Sequence, residues 1–269
     1  MNYNTIIFEV KEGIGILKLN RPERMNAVNE EMYREIQDFL NKSKDDSSIR
    51  ALIITGTSFQ KGDVVKQAFC AGADLKKHSS GERSKSEKRD YIYLAHETTR
   101  MIYQFPKPVI AAINGPARGA GSEMALCCDF IFISENASLA FPETSLGTFV
   151  GGGVTYHLPR IIGLVKAKEL IYTGKVIYGK DAVSLGLACQ CGPVDELIDT
   201  TCEFASILAK RAPHSIGLAK KHLQESNNKS IEEVLNEEAE AILSCMETED
   251  WHEGIKAFME KRDPQFSGK

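Results

Sequence analysis

Short, mainly apolar runs spaced by helix-length segments narrow most sharply what this chain can fold into. Residues 51–55 and 109–113 are two such runs, each read as a short buried strand. Between the hairpin pattern of residues 6–10 and 14–19, turning at Glu12-Gly13, and the run at 51–55 lies residues 29–44. There Met32, Ile36, Phe39 and Leu40 recur at three- and four-residue steps, and Asn29 stands at the N-cap position. Strand, helix, strand in this order is the grammar of a mostly parallel sheet covered by helices, an α/β fold. Residues 91–105 read as a helix ended by Pro106 and Pro108, and 130–134 as a further strand. Residues 56–67 and 79–89 are polar and read as exposed loops. Beyond Gly163 the texture becomes helical, with segments at 165–173, 180–185, 195–211, 214–225, 231–248 and 251–261.

Composition excludes several classes of function. With 269 residues, 42% hydrophobic and 26% charged, the chain is of ordinary globular make-up and long enough for one substantial core. A net charge of −4 and no basic run argue against nucleic acid as a partner. No apolar stretch reaches the ~20 residues needed to span a bilayer, and the first residues carry neither a signal core nor an Arg-rich transit pattern. Seven scattered cysteines, an odd number, suit a reducing cytosol rather than a disulfide framework. A cytoplasmic location is expected. The sequons at Asn136 and Asn228 then read as chance.

Several single motifs fail on inspection. Residues 174–180 copy P-loop spacing, but Asp181 stands where a magnesium-binding hydroxyl belongs. Cys189 and Cys191 lack the spacing and the second pair of a zinc or redox site, and the six histidines show no paired metal-ligand spacing. No metal site is expected. Ser122 misses the nucleophile-elbow pattern because Met124 replaces the needed glycine.

Two turns carry more chemistry. FCAGADL at 69–75 places small residues where a strand ends, and NGPARGAGSE at 114–123 places them where a helix begins. Small side chains let backbone N–H groups approach a ligand oxygen. Were the two turns adjacent, one N–H from each could grip a carbonyl that becomes an enolate, forming an oxyanion hole. Singly, each turn reads equally well as tight packing. Glu123 follows the second turn, where a first-turn acid also complements the helix dipole. Glu143 lies in LAFPETSLG at 139–147, close to the triple glycine at 151–153.

Taken together, these residues resemble the enoyl-CoA hydratase and isomerase, or crotonase, superfamily over nearly the whole chain. The resemblance rests on LNRP at 19–22, MNAV at 25–28, FCAGADL at 69–75, KPVIAAING at 107–115 and GAGSEMALCCD at 119–129. It continues through FPE at 141–143, LG at 146–147, YTG at 172–174, residues 182–187 and EGIKAFMEKR at 253–262. Several long motifs in one order are far more specific than any single motif.

The resemblance implies a spiral of repeated ββα units, with a catalytic core at 1–195 and a helical C-terminal region at 196–269 that builds homotrimers, commonly paired into homohexamers. It implies oxyanion-hole N–H groups at Ala73 and Ala120 and catalytic acids at Glu123 and Glu143. Arg24, Ala71, Gly72, Asp74, Leu75, Gly119, Phe141, Gly151 and Lys261 are implied at the acyl-CoA site, Lys261 from a neighbouring subunit. The substrate is then an enoyl-CoA thioester, with coenzyme A as part of it and no other cofactor. Two retained glutamates favour hydration over isomerisation, the family's other common reaction, which rests on a single acid at the second position. Hydration of a ring or aromatic acyl-CoA is an alternative on account of Tyr93, Met124, Phe141 and Phe149, which also read as packing residues. RNA binding, known among some relatives, is opposed by the absence of a basic patch. Ala120 in place of the usual glycine, and extra residues between Gly56 and Phe69, depart from the family pattern.

Overall fold

A computed structural model of the chain describes residues 3–74 and 84–269, so Leu75 lies outside the described residues. Strands β1 (Ile6–Lys11) and β2 (Ile14–Leu19) form the expected hairpin, and Glu12 and Gly13 both adopt the positive φ that a tight two-residue turn demands. Helix α1 (Glu30–Ser43) follows, its Asn29 cap accepting the Met32 N–H at 2.9 Å. Strand β3 (Ala51–Gly56) then runs parallel to β2.

The polar segment after β3 departs from expectation. It holds a short antiparallel hairpin, β4 (Phe59–Lys61) and β5 (Val64–Lys66), turned at Gly62 with φ +60°. Val64 and Val65 of this hairpin are exposed, so no burial pattern announces it. Helix α2 (Lys85–Tyr103) also starts earlier than expected, taking in residues 85–89 of the presumed second loop. The cause is a capping box: Ser84 and Glu87 satisfy each other's backbone N–H groups and allow a solvent-facing polar turn to be helical.

Strand β6 (Val109–Ile113) leads through β7 (Pro116–Arg118) into α3 (Ala120–Leu126), and β8 (Phe130–Ser134) and β9 (Ser138–Ala140) follow. A 3-10 turn at Glu143–Leu146 precedes α4 (Val154–Ile162), a helix that the glycine run at 151–153 and the internal Pro159 conceal in the sequence. The remainder is α5 (Leu164–Thr173), β10 (Ile177–Tyr178), α6 (Gly179–Ser184), β11 (Gln190–Gly192), α7 (Leu197–Ala209), α8 (Pro213–Glu225), α9 (Ile231–Met246) and α10 (Glu249–Glu260). The P-loop-like stretch thus contains a short strand that pairs with β9, not a phosphate loop.

The main sheet runs β1-β2-β3-β6-β8-β11, parallel except for the first pair. Both faces are covered, which is why β6 is apolar throughout and β3 nearly so, its one polar side chain, Thr55, being buried with its hydroxyl donated to the Ala112 carbonyl. Leu52, Ile54, Val109, Ala111 and Ile113 face the larger core with α1, while Ala51, Ile53, Ile110 and Ala112 face α7 through Leu197 and Ala205. A smaller sheet, β10-β9-β7, stands at the ends of these strands and brings the second glycine-rich turn beside the first.

A buried ion pair anchors α8. Lys220 Nζ meets Asp129 Oδ2 at 2.7 Å and the Lys107 carbonyl at 3.2 Å, and the same carboxylate oxygen accepts the Val109 N–H at 2.7 Å. Helices α8 and α9 bury no residue, and Ile231, Leu235, Ile242, Ile255 and Phe258 are exposed. No helix among the described residues is long and apolar enough to cross a membrane.

Candidate active site

The two glycine-rich turns are adjacent. Cys70 donates its N–H to the Pro116 carbonyl at 3.2 Å, and Arg118 returns a bond to the Cys70 carbonyl at 3.0 Å. On its other side the first turn is stitched to residues 25–28. Ala71 donates to the Met25 carbonyl, Val28 to the Gly72 carbonyl, and Asp74 to the Val28 carbonyl. Small residues are obligatory here. A Cβ at Gly121 would lie 2.3 Å from the Cys70 carbonyl oxygen, closer than van der Waals contact allows.

This weave uses the backbone on both sides of Ala73 but leaves its N–H unspent. Ala120, the first residue of α3, has the orphan N–H of a helix start. Among the described residues neither amide has a protein acceptor. Both residues are only partly buried.

Glu123 projects from α3 and is only 8% exposed. The Gly151 N–H donates to its Oε1 at 2.7 Å, and burial pushes its pKa up to about 7, with the charge of Glu143 adding to the rise. Glu143 opens the 3-10 turn, also 8% exposed, and burial raises its pKa as well. Its Oε1 lies 2.8 Å from where a Cβ on Gly119 would stand, which places it beside the second turn. Its Oε2 is buried without a protein partner among the described residues. A buried carboxylate oxygen without a protein partner, on a side chain that borders the second turn, makes this the candidate site for a ligand.

Gly72, Ala73, Gly119, Ala120, Glu123, Glu143 and Gly151 are therefore brought together, and Ala71 and Asp74 border them. Asp74 pairs with Arg21 at 2.9 Å. Arg24 is exposed in the 3-10 turn Pro22–Arg24 that flanks the first turn, and Phe141 is wholly buried in the main core. Lys261 is exposed at the end of α10, with no hydrogen bond or ion pair to this group among the described residues. Met124 is buried, while Tyr93 and Phe149 are exposed. Ser122 is occupied by the carbonyls of Ala117 and Ala140, at 2.9 and 3.0 Å, which suits a structural stitch rather than a nucleophile.

Sequence reasoning gave no separate role to two buried amides that hold the turns. Asn26 donates from Nδ2 to the carbonyls of Thr57 and Ala68 and accepts the Arg21 N–H. Asn114 donates to the Gly56 carbonyl and to Gln67 Oε1. Their signal was only their place inside the MNAV and ING motifs.

Residues 9–269 match the family model described as enoyl-CoA hydratase/isomerase. The chain belongs to that family. It is 37% identical to crotonyl-CoA hydratase of Syntrophomonas wolfei, with 100% of each chain covered, and 33% identical to short-chain-enoyl-CoA hydratase of Clostridium acetobutylicum, with 97% of each covered. The crystal structure of enoyl-CoA hydratase from Bacillus anthracis superposes with a TM-score of 0.92 at 35% identity, covering 99% of this chain and 100% of that one. The α/β architecture is thus that of the enoyl-CoA hydratase/isomerase fold.

Proposed function

We propose that the chain is an enoyl-CoA hydratase that adds water reversibly across the α,β double bond of an enoyl-CoA thioester. The observation that carries this reading is the pairing of two buried carboxylates, Glu123 and Glu143, at the glycine-rich turns that also hold the unspent N–H groups of Ala73 and Ala120. The names of the similar relatives point the same way.

In this mechanism the thioester oxygen accepts hydrogen bonds from Ala73 and Ala120. Negative charge grows on that oxygen as water attacks the β-carbon, so the fixed donors stabilise the enolate-like transition state more than the ground state. Glu123 removes a proton from the attacking water and Glu143 delivers one to the α-carbon on the same face, giving syn addition. Burial raises both carboxyl pKa values, Glu123 to about 7 with the charge of Glu143 adding to the rise, so one protonated and one ionised carboxyl can coexist near neutral pH. Both protons move between groups of the chain, water and substrate, and coenzyme A takes part only as the substrate's carrier. The exposed apolar residues of α9 and α10 become, in this reading, the contact face of a homotrimer or homohexamer in the cytosol.

The test is hydration of crotonyl-CoA, followed by loss of the conjugated thioester absorbance. Glu123→Gln and Glu143→Gln should each lower turnover by about 10² to 10⁴. The double variant should be hardly worse than either single one, as for groups acting as a unit. Undiminished hydration by Glu123→Gln would sink the two-glutamate mechanism and favour isomerisation.

A further inference from the structure

His96 and Glu123 meet at Gly151. A Cβ at Gly151 would lie 3.1 Å from His96 Nε2 and 3.2 and 3.3 Å from the two Glu123 carboxylate oxygens. Imidazole and carboxylate therefore approach one point across the bare backbone of a glycine. No direct hydrogen bond or ion pair joins them among the described residues, so a proton passing between them needs a bridging water. The two differ sharply in access to solvent, Glu123 being buried and His96 exposed on α2. The nearest charged groups on α2, Glu97 and Arg100, are paired with each other, and His157 of α4 packs by Gly153 instead. His96 thus has no competing ionic partner on its own helix.

We infer that His96 is the proton outlet of Glu123, a role that rests on the hydratase reading above. In that reading each forward turnover leaves Glu123 protonated and Glu143 ionised, and both must be reset before the next. The Glu123 carboxyl gives its proton to the bridging water as that water passes one of its own to His96 Nε2. The imidazolium then releases its Nδ1 proton to solvent, and proton exchange with solvent returns the ring to the Nδ1–H tautomer whose Nε2 can accept again. Glu143 is reprotonated by a hydronium ion or buffer acid from solvent as product leaves. One proton goes out and one comes in, so the cycle closes. Imidazole suits this task because it can accept and release a proton near neutral pH through its two nitrogens.

The experiment compares the full chain with His96→Ala and His96→Gln in crotonyl-CoA hydration at constant ionic strength, with folding checked by circular dichroism. In dilute buffer without imidazole both variants should lose at least about tenfold in kcat with KM within about twofold. Their kcat should climb with added imidazole, while the parent chain stays indifferent to it. A merely structural role for His96 would not produce that rescue. Two results overturn the outlet: a kcat for His96→Gln equal to the parent, meaning the carboxylates exchange the proton directly, or a loss confined to KM. Failure of the underlying reading looks different, since the parent chain itself would then not hydrate crotonyl-CoA or Glu123→Gln would keep its full rate.

Discussion

The Gly151 N–H reaches Glu123 Oε1 at 2.7 Å, yet this one bond does not offset the burial of the carboxylate, which keeps its pKa at about 7. The folded chain consequently holds this proton more tightly than the unfolded chain does. The resulting stabilisation is complete below the ordinary carboxylate range and is lost as pH rises through about 7. A rise from 4.5 to about 7 corresponds to roughly 3 kcal/mol. Burial of Glu143 acts in the same direction. Urea unfolding should show the parent chain and Glu123→Gln nearly matched at about pH 4, with the glutamine variant clearly the more stable at about pH 8. Parallel pH dependences would mean that Glu123 is not buried as described.

Ala120 offers a clean test of the backbone donor. As the first residue of α3 it occupies the helical position where proline is tolerated, because that N–H has no partner within the helix. Ala120→Pro should fold and lose about 10² to 10³ in turnover, whereas Ala120→Gly should stay active. Steady-state kinetics on crotonyl-CoA decides it, and full activity in a folded proline variant would remove Ala120 from the site.

Lys220 and Asp129 should matter to stability rather than to chemistry. Burial raises the Asp129 pKa despite the Lys220 ammonium beside it, so removing the cation leaves a costly charge. Lys220→Met should destabilise by about 3 to 5 kcal/mol. Adding Asp129→Asn, which can still accept the Val109 N–H, should recover part of that loss in urea unfolding.

The exposed apolar residues of the last two helices predict assembly. Ile231 is 63% and Phe258 81% exposed, an unusual display of large side chains on neighbouring helices of one chain. Light scattering should give a trimer or hexamer at micromolar concentration, and Phe258→Asp should shift it toward smaller species. A monomeric parent chain would refute the assembly and, with it, any cross-subunit part for Lys261.

The sheet and the outer helices were legible because β3 and β6 are mainly apolar runs and α1 repeats Met32, Ile36 and Phe39 on one face. Legibility failed where local chemistry stood in for burial. The α2 start depends on a reciprocal Ser84 and Glu87 cap, the β4-β5 hairpin buries no valine, and α4 hides behind three glycines. The site was half readable. Both turns and both glutamates stood out, but the bridge from Cys70 to Ala117 joins residues far apart in sequence, and no local pattern reports it. His96 looked like an ordinary surface histidine because its distinguishing neighbour, Gly151, arrives from a distant loop.

The unspent donors at Ala73 and Ala120 belong to the main chain, so no codon encodes them directly. Under the proposed mechanism, a lineage could therefore exchange the side chains around the reacting carbons, and with them the acyl groups accepted, without touching the two donors assigned to the thioester. What inheritance must guard instead are spacers: Gly121, whose smallest enlargement would collide with Cys70, and the amides of Asn26 and Asn114 that keep the turns in register. Variation that looks radical at the pocket wall is thus cheap, while a single added methyl group two residues before Glu123 is not.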